Sequence, residues 1–140
     1  MAHVNARYMV DKSALARMPL PPVRNRLGAI IEAGEAATCA VVDLEVLFSA
    51  RNHKEHEAIR QRRQLTYFQA PLTQQIFERA IEVQGLLAKQ GKHRLPIPDL
   101  IVAAAAEAHG LTVLHYDSDF DQIAKLTARS MEWVVPRGSL

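Results

Sequence analysis

The stretch LTVLHYDSDFDQIA (111–124) decides how the rest of the chain is read. Its first six residues are largely apolar on both alternating faces, the pattern of a strand buried on two sides inside a parallel sheet. The run stops at Tyr116 and delivers Asp117, Asp119 and Asp121 at every second position. Asp119 or Asp121 can serve as the N-cap of the helix that DSDFDQIAKLT suggests. That leaves a concentration of like charge, where a core element ends, that capping alone does not use.

Upstream, PIPDLIVAAAAEAHG (96–110) predicts a helix, with Pro98 in its first turn, Asp99 beside it and Gly110 at its end. TQQIFERAIEVQGLLAKQG (73–91) places Ile76, Ala80, Val83 and Leu87 on one face and ends at Gly91. TYFQAPL (66–72) and ATCA (37–40) have strand character, and RYMVD (7–11) is a short apolar run closed by Asp11. Helices are predicted in KSALARM, VRNRLGAIIEAGE, VVDLEVLFSAR and HKEHEAIRQRRQL, with Leu44, Leu47, Phe48 and Arg51 sharing a side of the third. MEWVV (131–135) makes a last strand. The order β-α-α-β-α-α-β-α-α-β-α-β is that of an α/β protein, a central mainly parallel sheet flanked by helices in three layers. One domain spanning residues 1–140 is expected.

Composition narrows the classes. With 49% hydrophobic and 23% charged residues in 140, the chain reads as globular rather than disordered. A net charge of +2 permits a nucleic-acid partner without arguing for one. The lone Cys39 excludes an internal disulfide, and no apolar run reaches membrane-span length, so a cytoplasmic protein is expected. No glycine-rich phosphate loop, zinc-ligand spacing or zincin motif is present.

In an open parallel sheet, ligands bind outside the carboxyl ends of the strands. Asp11 and Asp117 fall there, and Asp99 can reach the same rim from its helix. Glu45 lies within a half-apolar helix face, and an acid flanked by apolar residues, as Asp11 and Glu45 both are, is costly unless paired; the obvious cation in sequence, Lys12, is only one for several acids. Asp43 and Asp121 are assigned to ordinary capping and dipole roles, so changing either to Asn is expected to cost little. Carboxylates crowded on one rim repel each other, and a divalent cation removes the conflict. An all-oxygen donor set favours Mg²⁺ or Mn²⁺ over zinc. Such ions activate water and neutralise charge on phosphate oxygens, two of them about 4 Å apart dividing these tasks.

The ordered set MVDKSAL, CAVVDLEVLFSAR, IPDLIVAAAAEAHG, VLHYDSDFDQIA and EWVVP resembles the VapC-type PIN-domain ribonuclease toxins of prokaryotic toxin–antitoxin pairs. The resemblance implies metal-binding and catalytic acids at Asp11, Glu45, Asp99 and Asp117, with Asp119 a fifth metal ligand and Ser13 as the supporting hydroxyl. It also implies Mg²⁺- or Mn²⁺-dependent endonucleolytic RNA cleavage leaving a 5′-phosphate and a 3′-hydroxyl, a homodimer, and silencing by a VapB-type antitoxin. Single-stranded loops of tRNA or ribosomal RNA are the expected targets. Basic residues flank the acids, and Arg51, Arg62, Arg63, Lys92 and Arg94 are candidate RNA-binding residues, although each alone could belong to a solvated helix face. Two other classes compete. A haloacid-dehalogenase-like phosphatase would share the DxD of YDSD but needs it on the first strand; a non-catalytic RNA- or protein-binding module would leave the clustered acids without a use.

Overall fold

A computed structural model of the chain describes residues 5–127 and 131–140. Five short parallel strands form one sheet in the order β3-β2-β1-β4-β5. They are β1 (Tyr8–Val10), β2 (Ala36–Thr38), β3 (Phe68–Gln69), β4 (Thr112–His115) and β5 (Met131–Trp133). The helices between them are α1 (Lys12–Leu15), α2 (Pro21–Glu32), α3 (Ala40–Leu47), α4 (His53–Thr66), α5 (Gln74–Ala88), α6 (Ile97–Ala108) and α7 (Asp119–Ala124). This is the expected alternation, element for element.

Strand alternation builds two cores. Met9, Ala37 and Val113 face one side and pack with residues of α3, α5, α6 and α7. Their neighbours Val10, Ala36 and Leu114 face the other side and pack with Ala14 of α1, and with Val23, Leu27 and Ile30 of α2. A strand clothed on both faces has no room for polar residues until it ends, which is why the acids appear at strand ends. The alanines Ala103–Ala106 are all buried, and their small side chains let α6 lie close against its neighbours. Gly110, at φ 67, turns the chain from α6 into β4 in a conformation that a β-carbon would strain.

Three elements depart from expectation. TYFQAPL yields only the two-residue β3, because Tyr67 closes α4 and is buried in the second core. On α3 the inward residues are Val42 and Leu47, while Leu44 and Phe48 are 69% and 89% exposed. Arg63, expected to face RNA, is turned inward at 8% exposure. Its Nε donates to Asp43 Oδ1 at 2.7 Å, a terminal nitrogen donates to Thr38 Oγ1 at 2.8 Å, and the guanidinium lies 4.6 Å from the Tyr67 ring centre. Gln69 donates to the other Asp43 oxygen at 3.0 Å. Arg63 therefore clamps α4 to α3 and the end of β2, and Asp43 is more than a first-turn acid.

Asp43→Asn leaves this largely buried guanidinium without its anion, so it is expected to destabilise the fold by about 2 kcal/mol. Denaturant unfolding checks this. A loss below about 0.5 kcal/mol, the range of ordinary surface changes, would return Asp43 to a bystander.

Candidate metal and catalytic site

The carboxyl ends of β1 and β4 are adjacent, since Val10 pairs with Leu114. Asp11 follows β1 directly, and its N–H donates to the Leu114 carbonyl at 3.0 Å. Its Oδ2 caps α1, accepting from the Ser13 N–H at 2.9 Å and from the Ser13 hydroxyl at 2.7 Å. The same hydroxyl accepts from the Tyr116 N–H at 2.9 Å, so Ser13 fastens the β1 end to the β4 end. With Oδ2 so occupied, Asp11 keeps Oδ1 buried and without a hydrogen-bond partner among the described residues.

Beyond β4 the chain is held just as closely. His115 is fully buried beside Phe120 and Trp133. Burial pushes its pKa down, and the neutral ring accepts the Asp117 N–H at Nδ1, 3.2 Å away. Asp117 Oδ1 in turn accepts from the Asp119 N–H at 2.9 Å. Asp99, in the first turn of α6, completes a group in which Asp99, Asp117 and Asp119 each offer an oxygen, all within 4.8 Å of one another.

The electrostatics tie the remaining acids to this group. Burial, then repulsion from Asp11, Asp117, Asp119 and Glu45, pushes Asp99 up to about 8. Glu45 is raised by burial and then by Asp11, against which Lys12 acts. Asp119 is raised by burial and then by Asp117. Glu45 Oε1 and Asp99 Oδ2 join Asp11 Oδ1 as buried oxygens lacking a partner. Orphaned acceptors of one sign, on neighbouring residues, are expensive unless a cation sits among them. The donor set is all oxygen and fits a hard divalent ion. Asp99, Asp117 and Asp119 thus form the close group, and Asp11 and Glu45 act on Asp99 electrostatically.

The expected RNA-binding residues do not form one group. Lys92 and Arg94 are exposed and line a groove with Leu95 and Gln122, just before the α6 turn that carries Asp99. Arg62 is exposed, Arg51 pairs with Glu55 at the start of α4, and Arg63 belongs to the clamp. Sequence reasoning missed Arg17 and Arg137, which share a groove with Asp117. Neither belongs to a basic run, so nothing local marked them.

Similarity to known proteins shows the family of the chain. The PIN domain family model matches residues 8–126. Ribonuclease VapC21 of Mycobacterium tuberculosis is 45% identical over 139 residues, covering 97% of this chain and 99% of that protein. Ribonuclease VapC51 of the same species is 42% identical over 135 residues, covering 96% and 97%. Among solved structures, a chain of DNA-bound VapBC from Salmonella typhimurium superposes with a TM-score of 0.74 at 14% identity, covering 93% and 99%. At that identity the last likeness speaks for the fold.

Proposed function

The chain belongs to the PIN-domain family, with ribonucleases VapC as relatives, and from that premise we propose that it is the toxin of a VapBC-type pair, a metal-dependent endoribonuclease acting in the cytoplasm. The observation that carries the chemistry is the set of three buried carboxylate oxygens on Asp11, Glu45 and Asp99 that have no partner among the described residues, beside Asp117 and Asp119. On this reading the five acids hold Mg²⁺ or Mn²⁺, and residues 1–140 act as one PIN domain. A bound ion would supply positive charge for the phosphate oxygens and would acidify water for in-line attack.

The protein's own part is positioning. Ser13 fixes which Asp11 oxygen faces the rim, and the His115 ring and the Asp119 N–H fix Asp117. Lys12 lowers the cost of ionising Glu45. Single-stranded loops of tRNA or ribosomal RNA are the proposed substrates, because a strand must be free of pairing to lay its backbone on a recessed rim. The outward Leu44 and Phe48 of α3 offer apolar anchors of the kind an amphipathic antitoxin segment uses, and a homodimer belongs to the same reading.

Incubating the purified chain with a structured RNA and Mg²⁺ or Mn²⁺ tests the mechanism. Cleavage is expected to leave 5′-phosphate ends, to stop on adding chelator and to resume when the ion is restored. Cleavage that persists in chelator would overturn it.

A further inference from the structure

Beside Asp117 the surface opens into a groove of about 490 Å³, lined by Ser13, Arg17, Tyr116, Ser118, Trp133 and Arg137 together with Gly138. Its two arginines come from opposite ends of the chain and line one groove because β1, β4 and β5 are consecutive in the sheet. Each lies over an aromatic face: the Arg17 guanidinium is 4.5 Å from the Tyr116 ring centre, and that of Arg137 is 5.4 Å from the Trp133 ring centre. The two rings meet edge to face at 5.1 Å. The result is a ladder of cation, ring, ring, cation.

The ring faces attract the guanidinium charges without consuming an N–H donor. Those donors stay available for a second partner. Arg17 commits one terminal nitrogen to the Ser13 carbonyl at 2.8 Å, which orients the group and leaves the rest of its fork. Arg137 makes only a loose 3.5 Å contact with Asp121 and is 66% exposed. Asp121 also accepts from the Trp133 indole N–H at 3.1 Å, and Gly138 donates its N–H to the Tyr116 hydroxyl at 3.0 Å. The platform is therefore tied down from both sides before any ligand arrives.

Two forked donors and the exposed Ser118 hydroxyl match the oxygens of a phosphodiester. Because Asp117 belongs to both the metal rim and this groove, a strand with one phosphate at the acids continues into it. We propose that this groove is the subsite for the RNA backbone phosphate adjoining the scissile one, with Arg17 and Arg137 as its ligands. The proposal rests on the ribonuclease reading. It puts the first contact beyond the metal on the α1–β5 side of the rim.

The test measures binding of a labelled single-stranded RNA of about 12 nucleotides to the full chain in Ca²⁺ over a range of salt, with Mg²⁺-supported cleavage of the same RNA as a parallel arm. Arg137→Ala, at an exposed position, and Arg17→Ala are compared with Arg24→Ala, an equal charge change on α2. Each groove variant is expected to weaken RNA binding about tenfold and to reduce the salt slope by about one, with Mn²⁺ affinity and thermal midpoint unchanged; Arg17→Lys restores the slope without restoring full affinity. Wild-type RNA binding and cleavage with groove variants no weaker than Arg24→Ala would overturn the subsite and leave the ribonuclease reading standing. The same RNA result with loss of antitoxin capture on co-expression would overturn it in favour of a protein ligand. A wild-type chain that neither binds nor cuts RNA would overturn both readings.

Discussion

Asp99→Asn is expected to stabilise the metal-free protein and, at the same time, to reduce metal-supported RNA cleavage by about 100-fold or more. Both effects come from one carboxylate. In the folded chain, burial and then four neighbouring acids raise Asp99 from 3.8 to about 8. Below the lower value, folded and unfolded chains both carry the proton, and Asp99 contributes no pH dependence. Between the two values the unfolded chain releases the proton and the folded chain keeps it. The metal-free fold therefore loses stability as pH rises through that window, and the loss is complete above the folded value.

Near neutral pH the cost is on the order of 2 kcal/mol, less than the whole shift implies, because water at an open rim screens the acids. Asn removes it, and the thermal midpoint should rise by about 6 °C. The same substitution deletes a charged ligand from the metal. Melting curves in chelator, followed by cleavage assays in Mg²⁺, separate the two effects. A variant that melts lower than wild type in chelator would show that the acids are not in conflict in the metal-free fold.

Metal affinity should depend steeply on pH for the same reason. An ion can use Asp99 only after its proton leaves, so loading competes with a proton held with a pKa of about 8. Apparent affinity is expected to rise about tenfold per pH unit from about pH 6 to about pH 8 and then to level off. Glu45 and Asp119, both raised, add to the dependence in the same direction. Calorimetric Mn²⁺ titrations in buffers of different ionisation enthalpy give the proton count, about one or more released per site near pH 6 and close to none above pH 9. In Asp99→Asn the dependence should flatten. Affinity independent of pH in the wild type would mean that Asp99 is already ionised without metal.

Much of the molecule was legible in the sequence because its signals are local. Strands clothed on both faces read as uninterrupted apolar runs, and the break to Asp11 or Asp117 marks their carboxyl ends. Helix-ending glycines and the Pro98–Asp99 turn mark where α6 begins and ends. Given a parallel sheet, strand ends from distant segments must share one edge, so the acids could be gathered on a rim before any coordinates existed.

Facing was not legible in the same way. α3 carries Val41, Val42, Leu44, Val46 and Leu47 nearly all round, with Phe48 as its C-cap, and over so few residues such a pattern has no phase. Only packing chose Val42 and Leu47 for the interior and left Leu44 and Phe48 outside. Arg63 sits in a run of basic residues that reads as one solvated face, yet Asp43 of α3, Thr38 of β2 and the Tyr67 ring at the end of its own helix converge on it and draw it inward. Arg17 and Arg137 are 120 positions apart by their numbering and become neighbours through the β1-β4-β5 order. The order of the elements and the strand ends that carry Asp11 and Asp117 were readable from local sequence, because strand periodicity and chain breaks are written residue by residue. Tertiary structure alone decided which cations face solvent and which groove they share, because that depends on side chains brought together from segments with no local relation.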